Sequence, residues 1–148
     1  RANVAYFGTF GYELDLNKLT DEEIAEVKAQ IIFMKEYREL IQFGNFYRLK
    51  SPFDGNETVW MTVSEDKRKA LVFWYRERNV VNAEFTRVRL QGLDPDLIYK
   101  NEYNGTENYG DELMNLGLLT TDVTAGEPTN EDLPCTDYES RIYVLTAE

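Results

Sequence analysis

Apolar residues recur at helical spacing near the start of the chain. Between residues 24 and 34 they lie three or four positions apart, which places them on one face of an α-helix. These positions are Ile24, Val27, Ile31 and Met34. Thr20 and Glu23 have the spacing of a capping box, and Gly44 follows where a helix would stop. The pattern therefore predicts a helix over residues 20–43 whose apolar face packs on another surface.

Beyond Gly44 the apolar period changes from that of a helix to that of a strand. Val59, Met61 and Val63 are spaced by two, and residues 70–76 are apolar on both faces, as in a central strand. Further strands are expected at residues 46–49, 85–90, 97–103 and 142–145, a helical turn at 110–115 and a long loop at 119–137. Turns are expected at 51–56 and at Asn104-Gly105. Short strands at about ten-residue spacing favour an antiparallel β-sandwich.

The segment before the helix is harder to interpret. Residues 3–7 and 12–16 are expected to be extended or buried, on either side of a break at residues 8–11, which read Gly-Thr-Phe-Gly. This break has neither the Lys-Ser/Thr of a phosphate-binding loop nor the glycine spacing of a dinucleotide site. A tight bend is one interpretation. The other is the rim of a site completed by other sequence, with Gly8, Thr9 and Gly11 as the candidate rim residues.

Charge and missing residue types exclude several classes of function. Of the 148 residues, 27 are acidic and 16 are basic, and the net charge of −11 repels a phosphate backbone, so no nucleic-acid partner is expected. The apolar run at residues 70–75 is too short to cross a membrane. The chain has no histidine and a single cysteine, Cys135. Histidine catalysis, an internal disulfide and Cys/His zinc sites are therefore excluded, and no metal or cofactor is expected.

Six carboxylates lie in predicted turns, and any two of them are candidates for the pair of catalytic carboxylates of a glycosidase. They are Asp54, Glu57, Asp94, Asp96, Asp111 and Glu112. A glycosidase needs two carboxylates at a fixed separation. Acids beside Gly, Pro or Asn are more often explained by turn hydrogen bonding and solubility, so no catalytic residue is assigned.

Aromatic residues in the predicted strands offer a second candidate chemistry, stacking on sugar rings. They are Trp60, Trp74, Tyr75, Tyr99 and Tyr103. Aromatic side chains at alternating strand positions more often belong to a core. Two Asn-x-Thr sequons, at residues 56–58 and 104–106, are short enough to arise by chance.

Several strings of residues, in order along the chain, resemble a known family. They are N-V-A, G-T-F-G-Y-E-L-D-L, Y-R-E-L-I-Q-F-G-N-F-Y-R-L, W-M-T-V-S-E-D-K, R-L-Q-G-L-D-P-D-L-I-Y, G-D-E-L-M-N-L-G-L and S-R-I-Y-V-L. The chain is similar in these strings to the C-terminal part of bacterial α-galactosidases of glycoside hydrolase family 36. The resemblance covers residues 3–118 and 138–145, and the loop 119–137 departs from it.

The resemblance implies a fold and a division into domains. Members of that family have a (β/α)₈ catalytic barrel followed by a small antiparallel domain. Residues 1–43 would be the last strand and helix of the barrel, and residues 44–148 a C-terminal antiparallel β-sandwich. The fold class is then mainly β, with one strand–helix unit left over from the barrel, and the chain is a fragment.

The same resemblance implies a function. The chain would be an accessory, structural domain of an enzyme that hydrolyses terminal α-galactosides by a retaining mechanism, with the catalytic Asp pair outside this chain and the fragment inactive alone. The implied partners are the rest of the barrel and, through the parent enzyme, a galactoside; a bacterial cytoplasmic location is implied as well. The unpaired apolar segment 1–16 further predicts a homo-oligomer through residues 1–43.

A carbohydrate-binding β-sandwich module is the alternative function. An exposed, coplanar pair of rings among Trp60, Trp74 and Tyr75 would favour sugar binding. Burial of all three rings would favour a structural role instead.

Overall fold

The computed structural model describes residues 1–78, 86–120 and 137–147. The predicted strand over 85–90 is therefore described from residue 86 only, and Cys135 and most of the predicted loop 119–137 lie outside the described residues. The chain divides into two compact units, Arg1–Gly44 and Asn45–Glu148, which are described one at a time.

The first unit is dominated by one long helix. A short helix, α1, spans Ala2–Ala5, a 3₁₀ turn spans Leu16–Lys18, and α2 spans Asp21–Phe43. The backbone N–H of Glu23 donates to Thr20 Oγ1 (3.2 Å), and Glu23 Oε2 accepts from the backbone N–H of Thr20 (2.8 Å), so the predicted capping box is formed. The predicted helix is confirmed. Gly44 ends it in an extended conformation, φ −68° and ψ 163°, that leads into the next strand.

The structure differs from the prediction at residues 3–7. Instead of an extended segment, Ala2–Ala5 form a single helical turn, and none of residues 1–20 belongs to a strand. The backbone N–H of Ala5 donates to the Arg1 carbonyl (3.2 Å), and that of Tyr6 to the Ala2 carbonyl (3.1 Å). A lone strand leaves its backbone groups without partners, whereas a helical turn satisfies some of them locally.

The second unit consists of an antiparallel sheet, a short β-ribbon and one short helix. Its strands are β1 (Asn45–Lys50), β2 (Glu57–Val63), β3 (Lys69–Arg76), β4 (Arg87–Val88), β5 (Ile98–Asn101), β6 (Glu107–Tyr109), β7 (Leu118–Leu119) and β8 (Glu139–Ala147), and α3 spans Gly110–Asn115. The six-stranded sheet has the order β1-β2-β3-β8-β5-β6, and β4 pairs with β7. Every pairing among the described strands is antiparallel. The predicted fold class, mainly antiparallel β with a sandwich-like arrangement, is confirmed.

The core of this unit lies on one face of the sheet. Across β2 and β3, Val59 pairs with Trp74 and Met61 with Val72, so alternate residues of both strands point to the same side. They pack against apolar residues of the second layer, which are Val88, Leu90, Leu93, Leu113 and Leu118. All these residues are buried.

The central strand β3 is buried on both faces, as its sequence predicts. Val72 and Trp74 face the core, and Leu71 and Phe73, which point the other way, have no exposed surface either. Because neither face of β3 is in contact with solvent, its sequence does not alternate between apolar and polar residues, and this explains the uninterrupted apolar run.

Candidate functional site

The three candidate rim residues lie together in the loop that follows α1. Gly8, Thr9 and Gly11 are all exposed. The Gly8 N–H donates to the Ala5 carbonyl (3.0 Å), and a Cβ added at Gly8 would stand 3.7 Å from that oxygen, an ordinary contact. A Cβ added at Gly11 would meet no atom within 4 Å. Neither glycine has a positive φ, so the fold of this chain does not itself require glycine at these positions.

Gly11 lines a groove of about 590 Å³ between this loop and α2. Most of the side chains that line the groove are apolar or aromatic, and two are charged. The apolar and aromatic ones are Phe10, Tyr12, Leu14, Leu19, Ile24, Val27, Ile31 and Met34, and the charged ones are Lys28 and Arg38. A sugar presents several hydroxyl groups that need polar partners, and the side chains that line this groove offer only Tyr12, Lys28 and Arg38 for that role. Its lining is that of a packing surface.

The loop is held on α2 by aromatic contacts and by Gln30. The Tyr6 ring lies 4.9 Å from both Phe10 and Phe33, and Tyr6 is 3% exposed. Its hydroxyl donates to the Gln30 carbonyl (3.4 Å), and the Tyr12 hydroxyl donates to Gln30 Oε1. Burial raises the pKa of both tyrosine hydroxyls. These contacts hold Tyr6 and Tyr12 against α2.

The strand aromatics do not form a sugar-binding platform. Trp74 has no exposed surface, and Trp60 and Tyr75 are half-buried. The rings of Trp60 and Tyr75 meet edge to face, with centroids 5.6 Å apart and an interplanar angle of 67°. Burial raises the pKa of Tyr75 well above its usual range. No exposed coplanar pair exists among these three residues, which favours the structural interpretation.

The remaining two aromatic candidates also serve the fold. Tyr99 is buried, and its hydroxyl accepts from the Asp94 backbone N–H (2.9 Å) and donates to the Lys67 carbonyl (2.6 Å). Tyr103 is 48% exposed, with its ring centroid 5.3 Å from that of Tyr143 and 5.6 Å from the Arg141 guanidinium.

The turn carboxylates make local contacts. Glu57 forms an ion pair with Lys50, Asp94 Oδ1 accepts from the Asp96 backbone N–H (3.1 Å), and Asp111 lies in the first turn of α3. These are the roles of an ion pair, an Asx turn and a helix end. Among the described residues, no three His, Cys, Asp or Glu side chains are grouped so as to hold a metal ion.

One charged cluster on the sheet was not predicted from the sequence. On the core face of the sheet, the Glu139 carboxylate forms ion pairs with both Arg76 and Arg141, and the two guanidinium groups lie 5.3 and 5.4 Å from the Trp74 ring centroid. Arg76 pairs with Glu139 across β3 and β8, and Trp74 pairs with Arg141. Arg76 and Glu139 are separated by 63 positions, and the sequence signal is limited to Arg76 at the end of β3 and to Glu139 and Arg141, spaced by two, at the start of β8.

Comparison with known proteins shows the class to which this fold and these residues belong. Residues 57–145 match the family model of the glycosyl hydrolase family 36 C-terminal domain, and residues 1–44 match that of melibiase. The chain belongs to glycosyl hydrolase family 36, and the predicted resemblance is confirmed.

The individual relatives include bacterial α-galactosidases. The chain is 49% identical over 118 residues to alpha-galactosidase AgaA of Geobacillus stearothermophilus and 42% identical over 118 residues to alpha-galactosidase 1 of Pediococcus pentosaceus; each match covers 80% of this chain and 16% of the relative. A crystal structure of a variant of the same AgaA in complex with raffinose superposes with a TM-score of 0.85 and 41% identity, covering 99% of this chain and 19% of that one. This chain thus spans about a sixth of the length of its curated relatives.

None of the helices in the described part of the chain combines the length and the apolar character that a membrane crossing needs.

Proposed function

We propose that this chain is the C-terminal part of an enzyme that hydrolyses terminal α-galactosides. The observation that carries the proposal is the superposition of 99% of the chain on AgaA, whose variant binds raffinose. Residues 1–43 are the last strand and helix of the catalytic barrel, and residues 44–148 are a structural sandwich domain. Ala2–Ala5 form a helical turn in this chain, and a strand at residues 3–7 requires the neighbouring strands of the complete barrel as backbone partners.

The catalytic carboxylates belong to other parts of that enzyme. A retaining glycosidase uses one carboxylate as nucleophile and a second as acid and then base. The acidic residues described above are engaged in turns, a helix end and an ion pair, which supports a chain without catalytic groups. The contribution of this chain is packing, because the apolar groove along α2 is covered when the rest of the barrel is present.

Gly8, Thr9 and Gly11 form part of the rim of the substrate pocket. In barrel enzymes the active site is built from loops that follow the carboxyl ends of the strands. The loop at residues 8–11 follows the segment assigned to the last strand, its residues Gly8, Thr9 and Gly11 are exposed in this chain, and there is open space at Gly11. The galactoside therefore approaches this loop only in the complete enzyme.

The proposal is tested with a chimera. Residues 1–148 replace the matching C-terminal region of AgaA, and turnover of a nitrophenyl α-galactoside is compared for the chimera, AgaA and the isolated chain. We expect an active chimera and an inactive isolated chain. A well-folded chimera without activity would contradict the proposal. So would turnover by the isolated chain that survives repurification and disappears when one of its own residues is mutated.

We also propose that isolated chains associate through residues 1–43, and that the parent enzyme is cytoplasmic in a bacterium. The first is supported by the open apolar groove along α2, since exposed apolar surface promotes association. The second is supported by the bacterial relatives and the single cysteine. Light scattering at increasing protein concentration tests association, and a chain that stays monomeric at high concentration argues against it.

A further inference from the structure

The tip of the β5–β6 hairpin contains an Asn-Gly pair that the proposed function does not use. Asn104 is exposed, and Gly105 has a φ of +73°, the left-handed conformation that favours glycine. An Asn followed by Gly is chemically reactive, because the backbone nitrogen of a residue without a side chain can reach the Asn side-chain carbonyl carbon unhindered.

The folded hairpin holds both reacting groups in place. The Gly105 N–H donates to the Asn101 carbonyl (2.8 Å), so this nitrogen is hydrogen-bonded on the side from which a proton must leave. Asn104 Oδ1 accepts from the Thr106 backbone N–H (3.1 Å) and from Thr106 Oγ1 (2.8 Å). Thr106 is tied in turn, since its carbonyl accepts from the Asn101 N–H (2.8 Å).

We propose that Asn104 is a site of spontaneous covalent modification, deamidation through a succinimide, and that the closed hairpin tip restrains it. When the tip opens, hydroxide removes the proton of the Gly105 nitrogen, which then bonds to Cγ of Asn104. The Cγ–Nδ2 bond breaks, and the amide group takes up a proton and leaves as ammonia. Water opens the succinimide at either carbonyl and leaves aspartate or isoaspartate. The reaction rate then follows the local opening of the hairpin.

The other Asn-x-Thr sequence provides an internal control. Asn56 Nδ2 donates to the Arg78 carbonyl (2.5 Å), and its Oδ1 accepts from the Arg78 backbone N–H (2.8 Å). It is followed by Glu57, whose side chain hinders attack by its nitrogen. Asn56 is therefore expected to remain an amide under conditions that convert Asn104.

The experiment follows conversion at each Asn by peptide mass spectrometry and isoaspartate detection during incubation in mildly alkaline buffer. The folded chain, the urea-unfolded chain, Thr106→Val and the matched control Thr58→Val are compared. Thr106→Val removes the hydroxyl bond to Asn104 but keeps the backbone N–H. We expect conversion at Asn104 alone, slower by at least several-fold in the folded chain than in urea, accelerated by Thr106→Val and unchanged by Thr58→Val.

Three results would overturn the proposal. They are equal rates in the folded and unfolded chains, a Thr106→Val rate equal to or below that of the unmodified chain, and no conversion of Asn104 even in urea. The comparison of folded with unfolded chain does not depend on the variant, so it still decides the matter if Thr106→Val loses its fold.

Discussion

Trp74 shows how a large aromatic ring and charged groups share the interior of the sandwich. The ring is fully buried, and the guanidinium groups of Arg76 and Arg141 lie against it, where a cation interacts favourably with a π system. The Glu139 carboxylate pairs with both guanidinium groups, and its single negative charge offsets one of the two positive charges. Its removal would leave two partly buried cations with too little opposing charge.

The first prediction concerns that carboxylate. Glu139→Gln is expected to lower the free energy of unfolding by about 1–3 kcal/mol, between the values typical of exposed and of buried ion pairs. Urea denaturation measures the change. The matched control is Lys18→Gln, which removes an exposed pair with Asp15 of 3.9 Å and should change the free energy of unfolding by less than about 0.5 kcal/mol. Equal effects would show that Glu139 has no special role.

The second prediction concerns pH. Burial raises the pKa of Tyr75 above that of an unfolded tyrosine, so above about pH 10 the unfolded chain releases a proton that the folded chain retains. The free energy of unfolding should be constant, as far as Tyr75 is concerned, below that pH and fall as pH rises further. Tyr75→Phe should reduce this alkaline slope. Tyr138→Phe, at an exposed ring, is the control, and an identical slope in both variants would exclude Tyr75 as the cause.

At the scale of single elements, local signals predicted more than long-range ones. The helix α2 is specified by its own residues, since the capping box and the apolar stripe lie within it. Strands β2 and β3 were predicted because their alternation and apolar runs report burial directly. Residues 3–7 were not predicted correctly, because whether a segment is a strand depends on neighbours that are absent from its own sequence.

The candidate site illustrates the same limit. The sequence pointed to Gly8, Thr9 and Gly11 only as a break in an apolar pattern, and their place on a pocket rim stays a prediction. The cluster of Arg76, Glu139 and Arg141 joins two strands that are distant in sequence. The sequence alone does not reveal that these strands pair or in which register, so the three residues could not be placed together.

The third prediction separates the buried and open parts of the α2 stripe. Met34 and Ile31 both line the groove, but Met34 is only 5% exposed, whereas Ile31 is half-buried. Met34→Ala should therefore lower the free energy of unfolding by about 2–5 kcal/mol, and Ile31→Ala by only about 1 kcal/mol. Thermal or urea unfolding of the chain provides both values. A larger loss for Ile31 would mean that its groove is already covered in solution.

At the scale of the whole molecule, the chain contains two units that differ in how completely each buries its own apolar residues. The unit Asn45–Glu148 encloses its own core between the sheet and the second layer. The unit Arg1–Gly44 has one long helix with an open groove of about 590 Å³ along it. Part of the apolar surface of this unit is therefore not buried by its own residues. This chain covers about a sixth of the length of its relatives, and the proposed origin of the unit Arg1–Gly44 in a larger catalytic domain would explain its open groove.

The last prediction uses that contrast to test the pocket rim in the AgaA chimera. Because a Cβ at Gly11 meets no atom of this chain within 4 Å and needs no unusual φ, Gly11→Ala should leave the stability of the isolated chain unchanged. In the chimera it should lower kcat/KM for a nitrophenyl α-galactoside several-fold, because the proposed rim position places the substrate or other barrel loops in that space. Gly55→Ala is the matched control, because Gly55 also has open space around it but lies in the hairpin between β1 and β2. Equal kcat/KM values for the two variants would remove Gly11 from the rim.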